Sequence, residues 1–368
     1  MIPLFKVRMS ECSKSLNEVL NSGYIGQGPK VDEFEGLLVN LFNNPFCNTT
    51  NSATSALHLA LHMVKDNVRK EVLTTPLTCT ATNFAIRANG LDIKWVDVNP
   101  STCNVDTIDL RRKVSKNTLA ILVVHWGGYP CDLDEIKSIQ DECECLYGYR
   151  PPVIEDCAHA FGSRYKNVLV GNHGNFCAFS FQAIKHLTTG DGGMLISPSY
   201  STHKRAKLLR WYGLDRENTS NMRCEQNVSE WGFKFHMNDI NATIGIGNLT
   251  HIEDTLQKHR ENGLFFHNEL KGIKGTTLLE NSSEYESSHW IFTLRVKNRA
   301  EFIKHMKNAG IECSRVHERN DQHECLKEYR IPLPGTSEIC DDMICIPCGW
   351  WVDKKDREHI VRTIKKGW

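Results

Sequence analysis

The stretch Val153–Leu195, VIEDCAHAFGSRYKNVLVGNHGNFCAFSFQAIKHLTTGDGGML, gathers residue types that together point to one chemistry. An apolar run ends on the carboxylate of Asp156, and His159 follows three residues later. The chain continues to Ser180-Phe-Gln-Ala-Ile-Lys185 and then to a glycine-rich tail, Gly190-Asp-Gly-Gly193. A lysine amine with its ordinary pKa of ~10.4 is a poor nucleophile at neutral pH. Schiff-base formation and a partly desolvated, cationic setting remove that obstacle. A carboxylate can keep a pyridine nitrogen protonated, and hydroxyl and backbone donors can hold a phosphate. Those are the parts that pyridoxal 5′-phosphate (PLP) chemistry requires. Spacing alone leaves equal room for a surface lysine at 185 and a helix-capping Asp156.

The elements around these residues belong to a layered fold. Glu71–Thr75, Asp92–Val96, Leu119–His125 and Val153–Asp156 read as buried strands. Helical spacing marks Ala53–Val64 and Cys131–Glu142, and Thr78–Ala88 reads as a third helix. Such alternation predicts an α/β architecture with a mostly parallel sheet, which binds ligands beyond the carboxyl ends of its strands. From about Gly245 the pattern changes to a long polar helix, Asn248–Leu270, a strand, His289–Val296, and a helix, Ala300–Ala309. The expected division is a large domain over 1–245 and a smaller α+β domain over 246–368, within the range of two domains that 368 residues suggest.

Composition narrows the functional classes. Forty-four basic and 44 acidic residues balance, so no global field favours nucleic acid or an anionic membrane. No segment approaches the ~20 apolar residues of a membrane span, and the start MIPLFKVRMSEC lacks the apolar core of a signal peptide. Fifteen cysteines without such a leader predict reduced thiols and a cytoplasmic location. Asn-x-Ser/Thr triplets such as those at Asn48 and Asn241 are then chance matches.

With these parts in view, the chain resembles the nucleotide-sugar aminotransferases, the DegT-like family within the aspartate-aminotransferase fold (PLP fold type I). The likeness extends beyond the Val153–Leu195 signature. It includes SGYIGQGPKVDEFE (Ser22–Glu35), NSATSALHLAL (Asn51–Leu61), TTPLTCTATNFAI (Thr74–Ile86) and WVDVNPSTCNVD (Trp95–Asp106). VVHWGGYPCDLDEI (Val123–Ile136) and GFKFHMNDINATIG (Gly232–Gly245) continue it in the family's order. The match covers residues 20–250 and weakens beyond.

The resemblance implies a role for each matching position. Ala53 and Thr54 would bind the cofactor phosphate through N–H groups at a helix start, where the unpaired donors and the helix dipole favour an anion. Ser180 would add a hydroxyl, Asp156 would pair with the pyridine nitrogen, and His159 would lie against the ring or its O3′. Lys185 would hold the cofactor and later move the proton. Lys234 would reach the phosphate of the neighbouring subunit, where relatives commonly have Asn; a solvated lysine is the alternative. Cys79 stands where many relatives place an aromatic ring, and is expected to be a small buried thiol. Arg315 and His317, and more weakly His323, fall where relatives line the substrate site.

The implied activity is transfer of an amino group from glutamate to a C4 or C3 ketone on a nucleotide-linked deoxysugar, in a homodimer with shared sites. Some relatives carry His in place of the lysine and dehydrate the sugar instead; Lys185 favours transamination. A non-catalytic relative is the other alternative, opposed by Asp156, Ser180 and Lys185 occurring together. Cys345-Ile-Pro-Cys348, with Cys340 nearby, lacks a second pair at zinc-finger spacing and reads as buried thiols, so no metal is expected. Gly23, Gly26 and Gly28 do not follow a dinucleotide-binding order.

Overall fold

The computed structural model describes residues 1–218 and 222–368. Helices α1 (Ser13–Ser22) and α2 (Pro29–Phe42) lead into strand β1 (Cys47–Thr50). Then α3 (Ala53–Val64), β2 (Glu71–Thr74), α4 (Thr80–Ala88), β3 (Asp92–Trp95), α5 (Thr107–Lys113), β4 (Thr118–Val124), α6 (Leu133–Tyr147) and β5 (Val153–Asp156) alternate. A short hairpin, β6 (Arg164–Tyr165) and β7 (Val168–Leu169), precedes β8 (Phe176–Ser180), β9 (Gly193–Ile196) and α7 (Tyr200–Leu209). The main sheet has seven strands in the order β1-β9-β8-β5-β4-β2-β3, parallel from β3 to β8 and antiparallel through β9 and β1.

Side chains that alternate along β4 explain why helices cover both faces. Leu122 and Val124 join a core with Leu57, Leu61, Ala85 and Ile86 of α3 and α4. Ile121 and Val123 join another with Leu110, Ile136 and Ile139 of α5 and α6. The same alternation at the end of β5 turns Glu155 and Asp156 to opposite sides. Glu155 meets His125 Nε2 at 2.8 Å and accepts from Asn175 Nδ2 at 2.7 Å.

The later chain departs from expectation in three places. Instead of one helix over Asn248–Leu270, α8 (Asp239–Leu249) and α9 (Ile252–Leu270) are separate. The break follows from tight closing bonds: Thr250 donates to Gly247 O through both its N–H (3.3 Å) and its hydroxyl (2.7 Å), and His251 N–H turns to Asn248 O. Gly245 thus lies inside α8. The second sheet joins β10 (Thr276–Leu278), β12 (Phe292–Val296) and β13 (Met343–Ile346), while β11 (Tyr285–Glu286) pairs with β6. The strand expected from His289 starts only at Phe292, because His289 holds a left-handed φ of 47° that extended chain cannot accommodate. Helices α10 (Arg299–Asn308), α11 (Pro334–Asp342) and α12 (Lys354–Lys365) complete the fold. The first residues pack here too: Ile2 bridges to Ile311 and shares a core with Phe266, Leu294 and Ile346. Among the described residues no helix is long and apolar enough to cross a membrane.

One buried ion pair ties the antiparallel edge of the sheet to the helices outside it. Arg210, 1% exposed, contacts the Glu35 carboxylate on α2 and donates to Thr49 O on β1 at 2.7 Å. Thr49 in turn donates to Glu35 through its N–H and hydroxyl, both at 2.7 Å. Truncating one partner strands the other charge out of water, so Arg210→Ala should cost about 3–5 kcal/mol in urea denaturation. A loss below about 1 kcal/mol, the range of exposed pairs, would contradict that account.

Candidate active site

Four strands of the main sheet deliver residues to one cavity of about 440 Å³. Thr78 and Cys79 follow β2, Val124 closes β4, Asp156 ends β5 and Ser180 ends β8; each lines the cavity. Parallel strands make this placement unavoidable, since their carboxyl ends open on the same side. Ala53 and Thr54 at the start of α3, and Lys185 in the turn after β8, complete the polar wall. Seven of the ten site residues expected from sequence therefore meet here or line the wall: Ala53, Thr54, Asp156, His159, Ser180, Lys185 and His317.

Asp156 is buried and held on two sides. Thr82 Oγ1 donates to Oδ2 at 2.6 Å and Ala158 N–H donates to Oδ1 at 3.0 Å. Since Thr82 spends its proton on the carboxylate, the Thr78 hydroxyl 2.8 Å away donates to Thr82. Burial pushes the Asp156 carboxyl above its usual range, while Thr82, Ala158 and then Lys185 pull it back. Lys185 Nζ lies 3.6 Å from the centre of a Trp290 ring. Burial pushes its pKa down to about 7, against the opposing attraction of Asp156.

The phosphate end of the cavity can be tested for fit. Ser52 caps α3 by accepting from Ser55 N–H at 3.1 Å, and Ala56 N–H donates to Ser52 O. The N–H groups of Ala53 and Thr54 take no acceptor among the described residues, which leaves an open anion seat at a helix start. At Gly193 any Cβ would lie 2.5 Å from Ala53 N, so the backbone of β9 can approach this turn only without a side chain. The donors, the carboxylate and the desolvated amine thus fit a phosphorylated pyridine aldehyde.

Aromatic rings form the opposite wall. Trp290 stacks on His159 at 3.9 Å and 19°, and on Phe5 at 4.9 Å and 26°. His317 lies parallel to His159 at 5.5 Å and 3°. Burial lowers the pKa of His159, and that of His317 to about 4, so both rings stay neutral. His317 follows Val316, whose φ of 67° is strained for a β-branched residue; His317 N–H closes the turn on Arg315 O at 2.8 Å. Ser314 holds that turn by exchanging backbone bonds with Cys345 in both directions.

Other expectations fall elsewhere. Arg315 pairs with Glu318 and does not line the cavity. His323 sits against Phe84 at 6.3 Å. Lys234 is exposed and outside this chain's own cavity, its loop fixed where Asn51 Nδ2 and N–H donate to Lys234 O and Phe235 O. Cys79 corrects the expectation of a buried thiol: it is exposed in the cavity, because it caps α4 where the chain turns into the site. Cys345 and Cys348 are buried thiols, Cys348 donating to His289 O at 3.1 Å. Sequence reasoning missed Thr82, Trp290 and Phe5; only Thr82, one turn beyond Thr78 on α4, left a periodic signal.

Residues 8–365 match the DegT/DnrJ/EryC1/StrS aminotransferase family. The chain belongs to that family. It is a PLP-dependent sugar aminotransferase of amino-sugar biosynthesis. Over its whole length it is 43% identical to the sugar aminotransferase CalS13 from Micromonospora echinospora, covering 100% of that chain with a TM-score of 0.97. It is 49% identical to AtS13 from Actinomadura melliaura, covering 100% of this chain and 99% of that one, with a TM-score of 0.98. It is also 32% identical to the UDP-4-amino-4-deoxy-L-arabinose–oxoglutarate aminotransferase of Shewanella sediminis, across 99% of this chain and 97% of that protein.

A depressed amine pKa has a direct chemical readout. In the cofactor-free aminotransferase, acylation of Lys185 by trace acetic anhydride should rise with pH to half its limit at about 7. An ordinary lysine does so near ~10.4. A Lys185 profile centred near the ordinary value would show that the cavity hydrates the amine.

Proposed function

We propose that the enzyme takes its amino group from glutamate and delivers it to a C4 or C3 ketone of a nucleotide-linked deoxysugar. The observation that carries this reading is the convergence of Asp156, Lys185 and the open start of α3 in one cavity. The oxoglutarate in the name of the Shewanella relative supports glutamate as donor, since oxoglutarate is the keto acid that glutamate leaves behind.

Bound PLP supplies an electron sink conjugated to the carbon that loses its proton. The chain's own residues do the rest. Ala53 and Thr54 N–H groups and the Ser180 hydroxyl seat the phosphate. Asp156, its charge steadied by Thr82 and Ala158, would pair with the ring nitrogen. Lys185 would hold the cofactor and, once displaced, would be a base near neutral pH that takes a proton from one carbon and returns it to the carbon across the intervening nitrogen. His159, neutral and stacked on Trp290, would lie against the ring. Lys185 also weighs against sugar dehydration, which in relatives goes with histidine at that position. His317, with its Nε2 buried and without a partner among the described residues, is placed to meet a substrate group.

The test is a mass-spectrometric screen of nucleotide-linked keto sugars with enzyme, PLP and glutamate. Amino sugar and 2-oxoglutarate should appear in equal amounts, and borohydride reduction of the resting enzyme should fix a pyridoxyl group on the peptide holding Lys185. A label on another lysine, or ammonia release without an amino donor, would overturn the assignment.

The working unit in this reading is a homodimer in which Lys234 serves the partner's phosphate. Its exposure away from its own cavity supports that placement. Mixing Lys185→Ala and Lys234→Ala proteins under subunit exchange should raise activity above either parent, because one site per mixed dimer regains both lysines. No gain, or a fully active Lys234→Ala parent, would retire the idea.

A further inference from the structure

We infer that Phe5, from the segment before the first helix, is a specificity-determining residue: with Trp290 it forms an aromatic wall for the apolar face of the acceptor sugar. The inference deepens the aminotransferase reading and rests on it.

Leu4 and Phe5 both line the cavity that holds Lys185, although they lie far from it in sequence. Their position is fixed from several sides. Ile2 N–H donates to Gly310 O at 2.7 Å, and Glu312 N–H returns a bond to Ile2 O at 3.0 Å. Leu4 N–H donates to Glu312 Oε2 at 3.2 Å, and Trp351 Nε1 donates to Pro3 O at 2.9 Å. Beyond the cavity, Arg8 pairs with Asp254 of α9 at 2.7 Å, and Ser10 N–H donates to Asn248 Oδ1 of α8 at 2.7 Å. A segment pinned at both ends holds its middle side chains in a set place.

Phe5 packs against Trp290, and Trp290 is itself oriented by donating Nε1–H to Ile184 O at 2.9 Å. Around them the cavity offers Leu4, Ile184 and Val316, side chains with no hydrogen-bonding atom. A donor amino acid carries carboxylates, which such a wall cannot pair. A pyranose or deoxysugar presents rows of C–H groups on one face, which do pack on aromatic rings while its polar edges bond elsewhere. The wall therefore serves the acceptor, and it favours a sugar that turns C–H or methyl groups toward Phe5 and Trp290. A hydroxyl pressed there would lose water without gaining a partner.

Calorimetric titration of the holoenzyme with dTDP-glucose, UDP-glucose, dTDP and UDP tests this without turnover. The sugars lack a ketone, so binding alone is read. In Phe5→Ala the better-bound nucleotide sugar should bind about tenfold more weakly, the scale of one lost aromatic contact. Phe5→Tyr, which keeps the ring, should stay within about twofold, and the free nucleotide should be unmoved in both. Unchanged sugar affinity in Phe5→Ala overturns the proposal. So does an equal loss for nucleotide and nucleotide sugar, which would make the segment a general support. A wild type that binds none of the four yet yields amino sugar in the keto-sugar screen overturns the proposal alone. One that binds the nucleotide sugars yet aminates no keto sugar overturns the aminotransferase reading while leaving the wall in place.

Discussion

Asp156 and Lys185 carry opposite charges into a cavity that solvates neither well, and most of the surrounding structure can be understood as managing that cost. An isolated charge out of water is prohibitively unfavourable, and proteins neutralise it or supply partners. Asp156 receives two donors, one of them, Thr82 on α4, backed by the hydroxyl of Thr78 in the turn before that helix. Lys185 receives the face of Trp290, whose electron-rich surface offsets part of the lost hydration. The compensation is deliberately incomplete on the lysine side. An amine fully paired would stay protonated and inert, whereas one pushed to about 7 can exchange its proton.

That arrangement needs a frame that does not relax, and the sheet supplies it through its other face. Glu155 and Asp156 are adjacent carboxylates with different fates because strand side chains alternate. Glu155 is spent on structure, since both oxygens are taken by His125 and Asn175. The backbone N–H of Cys131 approaches His125 Nδ1 at 3.0 Å, which fixes that nitrogen as acceptor and leaves Nε2–H for Glu155. His125 N–H also donates to Asp156 O, at 3.3 Å. The pair behind the sheet thereby locks the strand end whose front carries the site.

Legibility from sequence followed the range of the interaction involved. Strands β2 to β5, helices α3, α4 and α6, and the polar residues after each strand were legible because periodicity and strand-end chemistry are local signals. The break at Thr250 was not, because it depends on which of two closing bonds a short polar turn adopts. His289 was read as strand because nothing in its neighbours announces a positive φ; the bond from Trp290 N–H to Gly127 O, across more than 160 positions, imposes it. Arg315 failed for a related reason. Its neighbour Val316 takes a strained turn that sends His317 inward and leaves the arginine to Glu318.

The aromatic wall shows how such long-range placement changes the site itself. At Cys79, where the family resemblance implies an aromatic ring in many relatives, this chain offers the cavity an exposed thiol, which cannot stack on a ring. The rings of this chain stand instead in a near-parallel row, Phe5, Trp290, His159 and His317. They come from four separate segments: the start of the chain, the approach to β12, the loop after β5, and the turn beyond α10. One of those segments is held by the smaller sheet, through Ser314 with Cys345, and another by the turn after α10, through Ile2 with Ile311. The small sheet and its helices are thus structural parents of the cavity wall, and any loosening of that packing would misplace rings before it disturbed Asp156 or Lys185. The candidate chemistry is anchored on the large sheet, while the aromatic wall of the cavity is placed by segments from both ends of the chain.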